Sequence, residues 1–169
     1  MSDLYLEELV KRKWTTKDRA VRILLIALTV ILILGAFFVQ YILVFPAIAI
    51  CIADIFIFPR FNIEWEYQYV NGELDVDRII NKAKRKRRES IDLDRVEIIA
   101  PAVSHRLDYY NNNRNLKEVN YTSNDPEREK QVYAMIVADE NSLKKVLFEP
   151  TEKMLRDMRT RAPRKVYLD

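Results

Sequence analysis

Asn62–Ile80 reads NIEWEYQYVNGELDVDRII. Ile63, Trp65, Tyr67 and Tyr69 alternate with Glu64, Glu66 and Gln68, the period-two pattern of a half-buried strand. Asn71-Gly72 follows, the pair favoured in a two-residue type I′ hairpin turn because both positions need positive φ. The return strand is Glu73–Ile80. Pairing across the turn sets Tyr69 opposite Leu74, Tyr67 opposite Val76 and Ile63 opposite Ile80, with Glu64, Glu66, Asp75 and Asp77 on the other face. Turn chemistry and hydrophobic alternation select the same register, so this hairpin is the best-specified part of the soluble chain.

Working downstream, a third strand rich in Lys and Arg, about 84–93, is expected to neutralise the acidic face. That compensation is favoured over a calcium site, since a flat strand face does not wrap an ion with six or more oxygens. Ile91–Val103 supplies one or two strands ending near Pro101. Asn111-Asn112-Asn113 and Asn124-Asp125-Pro126 signal turns, with a short strand near Leu116–Thr122 between them. Gln131–Ala138 reads as a buried strand and Leu143–Phe148 as its hairpin partner. Pro150 suits the first turn of a helix over Thr151–Arg161, whose Met154, Leu155 and Met158 share one face. Lys165–Leu168 adds a short final strand. Six or seven strands and one amphipathic helix predict an open or partly closed antiparallel barrel with a helical cap.

Upstream, Ile23–Ala53 is a run of 31 residues without a charge. As one helix it would be roughly 46 Å long, more than a hydrocarbon core of about 30 Å requires. Two spans, about 22–39 and 43–58, fit better, with the break between Gln40 and Pro46. A single tilted span is the alternative, and a cleaved signal peptide is disfavoured by the length of the run. Lys11, Arg12, Lys13, Lys17, Arg19 and Arg22 precede the run, Arg60 follows it, and the turn between the spans carries no Lys or Arg. This distribution places both termini in the cytoplasm of a multi-pass cell-membrane protein. Asp54 is the one acid in the spans; pairing with Arg22 at a similar depth is favoured over an ion relay. Residues 1–19 form a cytosolic amphipathic segment, read as a helix with Ser2 as N-cap that either lies in the interface with Trp14 as its anchor or packs on the soluble domain. Residues 62–169 form the β-rich cytosolic domain.

Composition removes several function classes. With only Gly35 and Gly72, no glycine-rich phosphate cradle or dinucleotide fingerprint exists. Cys51 is the sole cysteine and His105 the sole histidine, so there is no internal disulfide and no multi-histidine metal site. No cofactor is expected. Ser104, His105 and Asp108 invite a catalytic reading, but adjacent strand residues point to opposite faces and no oxyanion turn accompanies them.

The segments IEWEYQYVNGELDV (63–76), KRKRRESIDLDRVEII (84–99) and VLFEPTEKMLRDM (146–158) resemble bacterial pleckstrin-homology-like domains that follow a transmembrane hairpin. The whole chain resembles a family of small two-span bacterial membrane proteins sharing YVNGELD (69–75) and an APRKV-like ending (162–166). The resemblance implies an α+β fold, a PH-like barrel capped by a helix, and assigns no activity or site residue. Lys82, Lys84, Arg85, Lys86, Arg87 and Arg88 are the candidate contacts for anionic lipid headgroups, weighed against a run that only obeys topology statistics. The leading expectation is a non-enzymatic module that binds headgroups or a protein partner. Nucleic acid is disfavoured by a net charge of only +3 and no aromatic residues near the basic run.

Overall fold

The first strand is the one the sequence reading missed. In a computed structural model describing residues 5–38, 40–113, 116–139 and 142–169, β1 (Tyr5–Lys11) occupies the segment read as an amphipathic helix. It pairs antiparallel with β2 (Ile63–Val70) from Tyr5↔Val70 to Lys11↔Glu64. Leu6, Glu8 and Val10 alternate inward, and Val10 is fully buried against the core. Period-two burial next to an existing strand edge outweighs the weak helical pattern of so short a segment. Ser2, the supposed N-cap, lies outside the described residues. Tyr5–Lys11 therefore belongs to the first sheet.

Between β1 and β2 the chain makes two helices, α1 (Thr16–Phe38) and α2 (Val44–Ile57), with 3-10 turns at Tyr41–Leu43 and Phe58–Phe61. Helix α1 begins six residues earlier than expected because Thr15 and Asp18 cap it reciprocally. The Asp18 amide donates to Thr15 Oγ1 at 3.2 Å, and the Thr15 amide donates to Asp18 Oδ2 at 2.9 Å. Thr16–Phe38 and Tyr41–Phe61 are each long and apolar enough to cross a membrane. Residues on α1 are not buried within the protein. Gly35 lets the helices close: a Cβ there would stand 3.0 Å from Leu43 Cδ1.

The remaining elements build two four-stranded sheets. The first has the order β1-β2-β3-β4, with β3 at Glu73–Ile80 and β4 at Lys84–Asp92. The register of β2 with β3 is the one derived above, and Asn71 and Gly72 both take positive φ, 51° and 100°. The second has the order β5-β7-β8-β6, formed by β5 (Val96–Pro101), β6 (Lys117–Asn120), β7 (Tyr133–Asp139) and β8 (Ser142–Phe148). Contrary to the all-antiparallel expectation, β6 runs parallel to β8. Parallel pairing needs no tight turn, and the chain from β6 to β8 is long enough to return through β7.

The sheets are not closed into a barrel. Their facing residues, among them Tyr67, Tyr69, Leu74, Met135, Val146 and Phe148, share one core. Helix α4 (Glu152–Arg161) follows a short helix α3 (Asp108–Asn111) in chain order and inserts Met154, Leu155 and Met158 into that core. Thr151 caps α4, and Pro150 precedes the cap where it was expected inside the first turn. Arg161 holds the β2–β3 turn through Asn71 O and Oδ1 at 3.2 and 3.0 Å. The expected last strand is a single parallel bridge, Val166 to Ile99.

Because Val10 is enclosed, Val10→Ala should lower stability by about 2 kcal/mol, the transfer term of two methyl groups plus residual cavity. Denaturant unfolding of the full chain in detergent would measure it; no change would mean β1 does not pack as described.

Candidate functional site

The base of the helical pair is where charged residues collect. Asn81 donates its amide to Asn62 O at 2.8 Å, tying the β3–β4 turn to the residue that follows the second helix. Lys82 sits in this turn with φ of 55°, and Asn81 beside it has φ of 50°. A left-handed lysine costs about 1–2 kcal/mol relative to ordinary backbone.

The basic run divides by face. Arg85 pairs with Glu66 and, at 3.0 Å, with Asp77; Arg87 pairs with Asp75 at 2.7 Å. The acids expected to be neutralised by a third strand are thus met by alternate residues of β4. Glu66 and Asp77 are each 5 % exposed, and buried carboxylates need such partners. Lys82, Lys84, Lys86 and Arg88 make no ion pair among the described residues and are exposed. A register shift at Val76/Asp77 leaves Arg88 as the extra residue of a β-bulge.

Arg78 was not singled out in the sequence, although the predicted register places it directly opposite Trp65 on the inner face. The signal was present: Leu74, Val76, Arg78 and Ile80 form one alternating row, with a charge in the third position. Burial, and after it the charges of Arg88 and Arg12, pull the pKa of the Arg78 guanidinium below its ordinary value.

The intramembrane pairing expected of Arg22 and Asp54 is replaced by other contacts. Asp54, 8 % exposed, has Oδ2 2.8 Å from the Thr29 hydroxyl, which can donate to it. Arg22 stacks on the Trp14 ring at 3.8 Å and faces Phe58 at 5.3 Å. A guanidinium on an indole face gains attraction without desolvating into the helical pair. Trp14 is 44 % exposed at the start of α1.

Next to it lies a cavity of about 610 Å³, lined by Lys11, Arg12, Lys13, Trp14, Arg19 and Arg128, with Asp125 as its one acid. Its walls are fixed by hydrogen bonds. Lys13 donates its amide to Ser123 O at 2.6 Å and pairs with Asp125 at 2.6 Å. The Lys13 ammonium, and then the Glu127 amide, hold the Asp125 carboxyl below its ordinary 3.8. Ser123 donates from N and Oγ to Glu149 Oε1 at 2.7 and 2.6 Å, and Arg128 lies 3.4 Å from Oε2. Glu149 is 2 % exposed.

His105 is fully solvated on a short turn, 3.2 Å from Asp108, while Ser104 Oγ accepts the Arg106 amide. Ser104 is occupied as a cap, and nothing here resembles a nucleophile with its base. The described residues hold no group of three His, Cys, Asp or Glu positioned for a metal.

Two open sheets with a shared core, a C-terminal helix closing it, and a helical pair inserted after the first strand define a PH-like module on an apolar stalk. The chain belongs to the family Bacterial PH-like domain (DUF6106), whose model matches residues 2–168. Neither the curated proteins nor the solved structures contain a match.

Glu149→Ala would leave the buried Ser123 amide without an acceptor and should cost about 2–3 kcal/mol, read as a lower midpoint in denaturant. Tyr67, Tyr69 and Tyr121 are all held above the ordinary phenol value of 10.0 by burial, Tyr69 and Tyr121 further by hydrogen bonds to Asp157 and Glu89. An acid whose folded value is raised contributes stability that is complete below pH 10 and lost as pH rises beyond it. Alkaline titration of tyrosinate absorbance should therefore show these three ionising together with unfolding; ionisation in the folded chain near pH 10 would contradict the burial.

Proposed function

We propose that this chain is a membrane-anchored, non-enzymatic module whose PH-like domain lies against the cytoplasmic leaflet of the cell membrane and engages anionic headgroups. The apolar helices support the anchoring: their side chains are exposed over far more than the few hundred square ångström a soluble monomer leaves uncovered. Lys and Arg cluster at the base of the pair and are missing from its turn, the arrangement that retains both ends in the cytoplasm.

The observation that carries the headgroup reading is the Asn81–Asn62 hydrogen bond. It holds Lys82, with Lys84 after it, at the level where the stalk leaves the lipid. Each base near an anionic surface contributes about 1 kcal/mol. Arg85 and Arg87 are excluded from this role by their carboxylate partners. A protein partner adding a strand to the free edge of β4 is disfavoured, because a row of bases on an edge opposes strand addition.

The test uses the full chain in nanodiscs of zwitterionic lipid alone or mixed with anionic phosphatidylglycerol. Hydrogen exchange at residues 81–86 should slow by roughly tenfold with anionic lipid, and Lys82→Glu/Lys84→Glu/Lys86→Glu should abolish the difference. Equal exchange in both discs for the native chain would overturn the reading.

A further inference from the structure

The cavity at the foot of the helical pair is walled by three segments that lie far apart in the chain. Alternation along β1 turns Leu9 and Lys11 outward while Val10 fills the core. The chain beyond is pinned on both sides: the Arg12 amide donates to Ile63 O at 3.0 Å and the Lys13 amide to Ser123 O at 2.6 Å. Trp14 and Arg19 add the wall from the α1 side, with the Arg19 amide on Thr15 O at 3.0 Å. Asp125 and Arg128 supply the wall beyond Ser123.

Five bases and one acid line this space. Three of the bases are matched. Arg12 is held by Asp18 and Lys13 by Asp125, at 2.7 and 2.6 Å, and Arg128 lies 3.4 Å from the buried Glu149 carboxylate. Lys11 and Arg19 are exposed and make no ion pair among the described residues. Glu64 stands opposite Lys11 in the register, but it is buried and makes no ion pair with it. Two positive charges thus face the cavity without an acid in contact. Beside them Leu9 is 49 % and Trp14 44 % exposed, large apolar side chains left open.

Cationic and apolar walls together suit an amphiphile better than a small inorganic anion, and about 610 Å³ is within the range of small-molecule sites. Trp14 precedes α1 and Asn62, also in the wall, follows the second apolar stretch. Under the proposed topology the cavity therefore lies where the chain enters and leaves the lipid. We propose that it is a discrete binding site for one anionic phospholipid headgroup. Arg19 meets two phosphate oxygens with its planar fork, Lys11 adds a point charge, and Leu9 and Trp14 border the glycerol and first acyl carbons. The site rests on the anchoring reading but not on the β3–β4 turn, since neither Lys82 nor Lys84 lines the cavity.

Isothermal titration of the full chain in a neutral detergent tests it with three probes: short-chain phosphatidylglycerol, short-chain phosphatidylcholine and inorganic phosphate. Phosphatidylglycerol should saturate at one lipid per chain, with the other two at least roughly tenfold weaker. Lys11→Gln/Arg19→Gln should weaken phosphatidylglycerol by roughly tenfold or more. Lys153→Gln/Arg159→Gln removes the same charge from exposed positions on α4 and should leave the affinity unchanged. Arg19→Gln alone, outside the sheet, carries the test with a roughly fivefold loss if the double variant melts lower. Equal weakening by the two double variants would reduce the effect to net charge and overturn the site. So would binding that does not saturate, or phosphatidylcholine or phosphate binding as tightly as phosphatidylglycerol. A short-chain lipid presents no bilayer surface, so failure here is distinct from failure of the nanodisc experiment, which would strike the β3–β4 contact and leave the cavity standing.

Discussion

Everything in this protein depends on the antiparallel pairing of β1 with β2. Lys11 lies beside Glu64 in the sheet, so the chain leaves the domain and re-enters it at neighbouring points. Whatever the 51 residues between these strands do, they must return to where they started. Two helical stretches of similar length, Thr16–Phe38 and Tyr41–Phe61, folded back on each other meet that demand; one long helix does not, because its far end would lie tens of ångström away. The choice between one long helix and two, open on hydropathy alone, is thus decided by hydrogen bonds in a sheet outside the apolar stretch.

A second division of labour runs along β4. Strand alternation sends Arg85 and Arg87 to the acidic face, where Glu66, Asp75 and Asp77 need them. The same alternation puts Lys84 and Lys86 on the side of Arg78, Lys86 directly opposite it, and the bulge at Arg88 then turns Glu89 to that side opposite Val76. One continuous basic run therefore serves structure on one face and leaves unmatched positive charge on the other. Counting its bases overstates what is available to a ligand.

The β2–β3 hairpin was fully legible because two independent local signals, period-two alternation and Asn-Gly, gave one register. The neutralising role of β4 was legible from charge. Strand β1 was not, since Leu6, Leu9 and Val10 fit a helix face almost as well as a strand and its partner lies far along the chain. The parallel pairing of β6 had no local signal: four residues reveal a strand only once β8 is beside them. Arg22 and Asp54 were placed at comparable depth, but the nearer Trp14 ring and Thr29 hydroxyl claimed them first. Arg78 could have been found, because the register that was derived already set it against Trp65.

The inserted helical pair also bears on how the domain is made. β1 is synthesised first and cannot join its sheet until β2 exists. Bringing the ends of a flexible 51-residue segment together would cost about 3.5 kcal/mol in loop entropy. Two helices packed through Gly35 and Leu43 hold those ends near each other beforehand. Under the proposed topology, insertion into the bilayer comes before completion of the sheet, and a chain whose helices fail to pack presents an unpaired β1 to the cell. Assembly of the soluble domain would then report that its anchor is correctly seated.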